Sequence, residues 1–212
     1  MSAVIREFDP AEDAEAVAQF YNRNGYGAIS HGISLSGESL LTVFAERDVR
    51  LMMVAVSGKQ IVGTIGYSGI SGRRAAGRNQ LFAGQFLIAP SHRASRLAGE
   101  LFMQSFARLF AMGIRVLRVE VNPSNRRAYP LYVRVGFRAI DDRLPDEEGY
   151  IELVSVLPGV VESLRSLFPS EDVDKAAARA DWRVLGRSPR ATLRGGVHQD
   201  PSGAKLVDYT FE

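Results

Sequence analysis

The stretch from Asn122 to Phe137, "NPSNRRAYPLYVRVGF", contains two polar side chains whose types and positions could do chemistry. Asn125 follows a predicted strand and stands where an asparagine often caps a helix. Tyr132 lies close to the Gly136-Phe137 pair, and its hydroxyl could donate a proton to a leaving group. The alternative is a core tyrosine whose ring packs inside while its hydroxyl reaches the surface. The residues alone favour this alternative.

A second candidate site follows the apolar run from Leu81 to Pro90. This run is apolar on both faces, which is typical of a central, buried strand. An amphipathic helix is predicted to begin near Arg96, and unpaired backbone N–H groups at such a helix start suit a phosphate group. Arg93 and Arg96 add two positive charges there. The alternative is an ordinary strand-to-helix junction with solvated arginines.

Few side chains in the sequence could act as a general base. Glu120 lies on a predicted strand, on the opposite face from its valine neighbours, and could accept a proton. Gln85 could orient a water molecule but cannot accept a proton. His31 and His92 are single histidines in predicted loops, and we interpret both as surface residues. No group of histidines and carboxylates has the spacing of metal ligands, so no metal site is predicted.

The composition of the 212-residue chain excludes several classes of protein. Cysteine is absent, which excludes disulfides, thiol nucleophiles and iron–sulfur clusters. No secretory signal is recognisable, and no apolar run approaches the roughly 20 residues that span a membrane. We therefore expect a cytoplasmic protein with no membrane partner. Of the 26 basic residues, 23 are arginine. A genome-wide bias explains this most simply, and a nucleic-acid surface is the alternative.

The hydrophobic pattern predicts the element order β α α β β β α β α β β over residues 1–156. This order indicates an α/β fold with a mixed sheet and helices on both faces. Residues 71–79 are predicted to form a polar, glycine-rich connector. Residues 157–212 are too few for an independent core, and two helices are predicted at 160–168 and 172–181. We expect this C-terminal extension to pack on the main domain or on a partner, for example in a homodimer.

Together, the two candidate sites resemble the GNAT superfamily of acyl-CoA-dependent N-acyltransferases. The second motif matches at every position: Val121, Asn125, Ala128, Tyr132, Gly136 and Phe137. The first motif matches at Pro90, Arg93 and Ala98, whereas Arg96 stands where the family has glycine. The resemblance covers about residues 3–156. It implies a mostly antiparallel central sheet of about seven strands, with the C-terminal extension outside it.

The resemblance also implies a cofactor and the residues that hold it. Acetyl-CoA would be the acyl donor, with its pantetheine arm on the Phe86, Leu87 and Ile88 strand edge. Its pyrophosphate would lie at the helix start formed by Arg93, Ala94, Ser95, Arg96, Leu97, Ala98 and Gly99. Asn125 would lie beside the cofactor.

The activity implied by the resemblance is N-acetyl transfer to a primary amine of a small molecule or peptide. Tyr132 would protonate the departing thiolate, and Glu120 resembles the base of the branch that acetylates protein N-termini. Two other functions remain open at this point. One is a CoA-binding or regulatory module without turnover, which Arg96 and Gln85 favour. The other is an acyltransferase that acts on nucleic acid, which the arginines alone support.

Overall fold

A computed structural model describes residues 3–26, 34–72, 74–93, 95–139, 149–157, 193–199 and 205–211. The chain divides into two compact units: residues 1–72 with 83–105, and residues 73–82 with 106–212. His31, the acidic residues 141–148 and the two helices predicted between 160 and 181 lie outside the described residues. None of the described helices is both long and apolar enough to cross a membrane.

In its described residues, the first unit contains two complete helices, the start of a third, four complete strands and the end of a fifth. The helices are α1 (Pro10–Arg23) and α2 (Gly37–Glu46), and α3 (Leu97–Ala111) begins here. The strands are β1 (Val4–Glu7), β2 (Val49–Ser57), β3 (Gln60–Ser68), β4 (Ile70–Ser71) and the end of β6 (Gln80–Ile88). Strands β1, β2, β3 and β6 are neighbours in that order.

Local sequence signals explain the helices of the first unit. Asp9 accepts a hydrogen bond from the Ala11 N–H at 2.8 Å, and Pro10 occupies the first helical position of α1. Ser36 and Ser39 form a reciprocal capping box at the start of α2. The apolar faces of both helices join one core cluster with strands β2 and β3, which includes Val17, Ala18, Phe20, Tyr21, Leu40, Phe44, Met52, Val54 and Ile61.

In its described residues, the second unit contains the start of β6, the end of α3, six further strands and one short helix. These are β5 (Arg74–Ala75), β7 (Val116–Val121), α4 (Ala128–Arg134), β8 (Arg138–Ala139), β9 (Ile151–Val156), β10 (Leu193–Gln199) and β11 (Lys205–Phe211). Strands β6, β7, β9 and β8 are neighbours in that order, and β7–β9 and β8–β9 are antiparallel. Strands β6 and β7 are parallel and pair at Gln80–Val116, Leu81–Leu117 and Phe82–Arg118.

The fold class predicted from the sequence is confirmed, and the predicted helices and strands occur in the predicted order through β9, with the two-residue strands β4 and β5 inserted between β3 and β6. The structure also contains strands that the sequence analysis did not predict. Strand β5 lies in the connector, β4 ends at its first residue, and β10 and β11 lie in the C-terminal extension. Strand β11 pairs in parallel with β5. These strands were missed because their pairing is long-range and their glycine- and arginine-rich sequences carry little alternation.

Candidate active site

Strand β6 has an irregular backbone at Gln85, which we call the Gln85 bend. Gln85 has a φ of +47°, a conformation that is uncommon for residues other than glycine, and its side chain is buried. Its carbonyl accepts a hydrogen bond from the Thr64 hydroxyl at 2.7 Å and another from the Tyr21 hydroxyl at 3.4 Å. Two side-chain donors therefore satisfy this carbonyl inside the first unit.

At the Gln85 bend, two successive backbone N–H groups donate hydrogen bonds to the same side chain. The amides of Gln85 and Phe86 donate to the hydroxyl of Tyr26, whose ring stacks on Tyr21 with centroids 4.9 Å apart. Burial raises the pKa of Tyr26 to about 12, against the opposing effects of the Arg47 charge and the two amides. Tyr26 is therefore a neutral phenol near pH 7. Convergent amides of this kind can polarise a carbonyl oxygen.

A glycine on the neighbouring strand makes room for the Gln85 bend. A Cβ atom at Gly66 would lie 2.5 Å from Gln85 Oε1 and 3.1 Å from Gln85 Cβ. It would also lie 3.1 Å from the Met52 sulfur. Glycine in a strand interior often marks such a close approach. The Gly66 position therefore allows the buried Gln85 side chain to fit against β3.

We expect Gly66→Ala to lower the free energy of unfolding by about 1–3 kcal/mol, because the added methyl group overpacks a filled site. The matched control is Gly84→Ala, since a Cβ at Gly84 would meet no atom within 4 Å. Denaturant unfolding of both variants measures the difference. Equal stabilities of the two variants would contradict the close packing at Gly66.

The predicted phosphate site lies at the end of β6 and the start of α3. Residues Pro90–His92 form a short 3₁₀ turn, and α3 begins at Leu97, one residue after the predicted start. The hydroxyl of Ser95 accepts the Leu97 N–H at 3.2 Å. Arg93 donates through Nε to the carbonyl of Ile88 at 3.1 Å, which holds its side chain against the strand end.

The exposure of the neighbouring residues agrees with a site for an anion. Arg96 is exposed, so its side chain does not fill the helix start where the family has glycine. Glu100 in the first turn is an acidic residue and by itself acts against an anion at this helix start. Ala94 lies outside the described residues. His92 is near the Ser91 hydroxyl at 2.9 Å and has no role assigned by the motifs.

The residues of the first unit fit the acyl-CoA implied by the sequence resemblance. The Gln85 bend turns two amides toward the Tyr26 hydroxyl, and such donors suit a carbonyl oxygen. The start of a 15-residue helix, together with exposed Arg93 and Arg96, suits a diphosphate. Among the described residues, no group of three or more His, Cys, Asp or Glu side chains could hold a metal ion.

In the second unit, Asn125 closes the turn between β7 and α4. Its Oδ1 atom accepts the N–H groups of Arg127 at 3.2 Å and Ala128 at 3.0 Å. Its carbonyl accepts the Tyr129 N–H at 3.0 Å. Helix α4 begins at Ala128, and Arg127 is the residue directly before it. Asn125 therefore caps the helix from two residues before Arg127. The late start agrees with Pro130, which has no N–H and is tolerated in a first helical turn.

Tyr132 lies on α4 and is 7% exposed. Its ring meets the Phe137 ring edge-on, with centroids 5.5 Å apart, and its carbonyl accepts the Phe137 N–H at 2.9 Å. Gly136 between them has a φ of +102°, which glycine adopts without strain. The Gly-Phe pair thus fixes the Tyr132 ring from the end of the helix.

Glu120 contacts other charged side chains in the second unit, and we call the described group Arg74, Arg118, Glu120 and Glu152 the charge network. Arg74 donates to Glu120 at 2.5 Å and also to Glu152. Arg118, whose side chain is fully buried, donates to the other oxygen of Glu152. The Phe82 ring lies under both guanidinium groups, with its centroid 5.6 Å from Arg74 and 4.5 Å from Arg118.

The charge network perturbs the buried carboxylate at its centre. Burial alone would raise the pKa of Glu152, but the hydrogen bonds and charges of Arg118 and Arg74 lower it overall. Burial acts to lower the pKa of Arg74, and the carboxylates of Glu152 and Glu120 raise it overall. Glu152 and Arg74 are therefore both charged near pH 7.

Sequence reasoning did not identify Tyr26, Thr64, Arg74 or Glu152. A signal existed for Thr64, which stands between two glycines in an otherwise apolar strand. Glu152 could have been paired with Glu120 by aligning the closing strands, since the two are direct partners in the β7–β9 register. Tyr26 follows a helix end, and Arg74 lies in the connector, and neither position carries a local signal.

Comparison with solved structures gives many related folds. The structure of yncA from Salmonella typhimurium with its cofactor acetyl-CoA is 17% identical, with a TM-score of 0.60 over 74% of this chain and 95% of that chain. The GNAT domain of S. lividans PAT is 21% identical, with a TM-score of 0.58 over 73% and 90%. The ribosomal-protein-S5-alanine acetyltransferase from Vibrio fischeri is 14% identical, with a TM-score of 0.57 over 74% and 93%. These similarities establish a shared fold.

Comparison with curated protein sequences gives no match. The family model described as Acetyltransferase (GNAT) family matches residues 30–137. That segment runs from before α2 to the Gly136-Phe137 pair and includes the Gln85 bend and Tyr132. Because it covers half of the chain and contains both sequence motifs, the chain belongs to the acetyltransferase (GNAT) family.

Proposed function

We propose that this protein transfers an acetyl group from acetyl-CoA to a primary amine by direct attack of the amine. The observation that carries the proposal is the Gln85 bend. Its two amides, of Gln85 and Phe86, both donate to the Tyr26 hydroxyl and could bind a carbonyl oxygen at the same position. Bound acetyl-CoA would supply the acyl group as a thioester. In the reaction a carbon–nitrogen bond forms, the carbon–sulfur bond breaks, and the amine loses a proton.

Each of these changes has a candidate group in this chain. The thioester carbonyl would replace the Tyr26 hydroxyl at the Gln85 and Phe86 amides, which then donate to its oxygen as the negative charge grows. Tyr132 donates its hydroxyl proton to the sulfur that departs. Glu120 accepts the proton of the amine, directly or through water. These roles follow the family motifs onto residues that match them in this sequence.

The acceptor is an amine of a small molecule or a peptide. Protein N-termini are one class, since the Vibrio fischeri relative is a ribosomal-protein-S5-alanine acetyltransferase. The position of Glu120 on β7, before Asn125 and Tyr132, supports the same class. A thiol-release assay with acetyl-CoA against a panel of amines and N-terminal peptides tests the proposal. No release with any acceptor would contradict it.

Binding without turnover is the second candidate function. Arg74 already donates to Glu120 at 2.5 Å, and Gln85 cannot accept a proton, so both observations reduce the basic groups available. In this case acetyl-CoA would raise the melting temperature of the protein, while no amine of the panel would release thiol. Thermal shift and thiol release together distinguish an enzyme from a binding module.

We expect Arg93→Glu to weaken CoA binding by more than about tenfold. The change removes one charge-assisted contact, which is worth roughly 1.5–3 kcal/mol, and adds repulsion of the diphosphate. Calorimetric titration with CoA measures the effect. The control is Arg50→Glu, which reverses an exposed charge to which the motifs give no role. Unchanged affinity in Arg93→Glu would locate the phosphates elsewhere.

A further inference from the structure

The C-terminal strand β11 is paired on both sides. Along its whole length it is antiparallel to β10, and the two form what we call the C-terminal hairpin. On the other side it is parallel to β5, with Lys205 opposite Arg74 and Leu206 opposite Ala75. Strand β5 is only two residues long. Its backbone position is therefore supported by the hairpin, which lies outside the family match at residues 30–137.

Arg74, on the strand that pairs with the hairpin, places a positive charge between two carboxylates of strands β7 and β9. Glu120 and Glu152 are direct partners in the antiparallel β7–β9 register. Like charges in directly opposite positions destabilise such a pair. Arg74 removes this conflict because one of its nitrogens donates to Glu120 and the other to Glu152. Together with Arg118, the charge network contains two positive and two negative groups.

Within the charge network, Arg74 connects the buried carboxylate of Glu152 to the more accessible carboxylate of Glu120. The side chain of Glu152 is 6% exposed, whereas that of Glu120 is 35% exposed. Arg74 connects them and is itself 23% exposed. An ammonium group that approaches Glu120 must therefore compete with the Arg74 guanidinium for the same carboxylate.

We propose that the C-terminal hairpin is a positioning element for the acceptor site, because its pairing with β5 holds Arg74 between Glu120 and Glu152. The inference rests on the proposed function in one respect, the assignment of Glu120 to the acceptor site. Arg74 is a positioning residue, since it acts through Glu120. The hairpin thereby sets how strongly this site binds a cationic amine.

The first experiment measures the titration of the Glu152 carboxyl by ¹³C NMR in the full-length protein. Among the described residues, the charged groups that face Glu152 include Arg74 from β5 and Arg118 and Glu120 from β7. Arg74→Gln should raise the pKa of Glu152, because it removes a hydrogen bond and a positive charge that lower it. If the hairpin positions Arg74, Leu206→Pro should raise this pKa as well.

Two further variants make the NMR experiment specific for backbone pairing. A proline in a middle strand removes a ladder hydrogen bond, so Ala75→Pro on β5 should act like Leu206→Pro on β11. Leu206→Ala is the matched control, because it keeps the backbone pairing and should titrate like the wild type. Wild-type titration in both proline variants would overturn the proposal. Global unfolding of both, seen by circular dichroism, would also overturn it, since the pairing would then belong to the core.

The second experiment measures steady-state kinetics with a cationic amine that the wild type acetylates. Arg74→Gln and Leu206→Pro should lower the KM for this amine by about two- to fivefold, the range expected for an accessible ion pair. The KM for acetyl-CoA should stay within about twofold. An equal rise of both KM values would indicate a general structural role and overturn the proposal. If no amine is acetylated, the proposed function fails, and the titration of Glu152 still decides the role of the hairpin.

Discussion

Replacing Tyr132 by phenylalanine is expected to lower kcat by at least about tenfold. The ring and its edge-on contact with Phe137 remain, whereas the hydroxyl proposed to protonate the thiolate is lost. A positioned acid contributes roughly 10²–10⁴-fold to a rate, and the lower limit allows for a thiolate that departs without protonation. The KM for acetyl-CoA should change by less than a few-fold, because the interaction belongs to the transition state. Steady-state kinetics with the identified acceptor measures both constants.

The matched control for this prediction is Tyr129→Phe. Tyr129 lies on the same short helix and is half-buried, but it is not part of the family motif. Loss of the Tyr129 hydroxyl should leave kcat within about twofold of the wild-type value. The melting temperatures of Tyr129→Phe and Tyr132→Phe should agree. If Tyr132→Phe reacts at the wild-type rate, Tyr132 is a packing residue whose hydroxyl has no part in the reaction.

Replacing Glu152 by glutamine is expected to lower the free energy of unfolding by about 3–5 kcal/mol, since it removes a buried negative charge that pairs with the buried guanidinium of Arg118. The side chains of Arg118 and Glu152 are 0% and 6% exposed. Denaturant unfolding at pH 7 measures the loss. The control is Arg50→Gln, which breaks an exposed pair with Asp48 and should cost about 1 kcal/mol or less. Equal losses in the two variants would contradict a buried role for Glu152.

The loss of stability caused by Glu152→Gln should depend on pH. Arg118 and Arg74 hold the pKa of Glu152 below its value in the unfolded chain, so the pair stabilises the fold at pH values above the unfolded value. This contribution decreases as the pH falls through the folded pKa. The stability difference between the wild type and Glu152→Gln should therefore be largest near neutral pH and shrink in acid.

The sequence predicted those parts of the fold that have a local pattern. Helix α1 has a capping aspartate, a proline and an apolar stripe, and α3 has an apolar stripe that ends at Gly113. Strand β6 is apolar on both faces. Such signals depend on neighbours a few residues apart, and they can be read without knowing the tertiary structure.

The remaining parts depend on residues far apart in the chain. Strand β5 pairs with β11, which lies far from it in the sequence. Arg74 likewise donates to Glu152 across a long sequence separation. The Gln85 bend was missed because its positive φ falls on a glutamine, where no glycine marks it. The signal was on the partner strand, in the Gly66 that makes room for it. The motifs identified Tyr132 and Asn125 as candidates, and their catalytic or binding roles stay predictions.

The Gln85 bend has a consequence for mutagenesis of this protein. The donors at this position are main-chain amides, and every amino acid except proline supplies the same N–H group. An alanine scan along β6 would therefore leave both donors present and would report no functional group there. A change of a single backbone atom is needed instead. Semisynthesis that replaces the Phe86 amide by an ester would delete one donor while preserving all side chains.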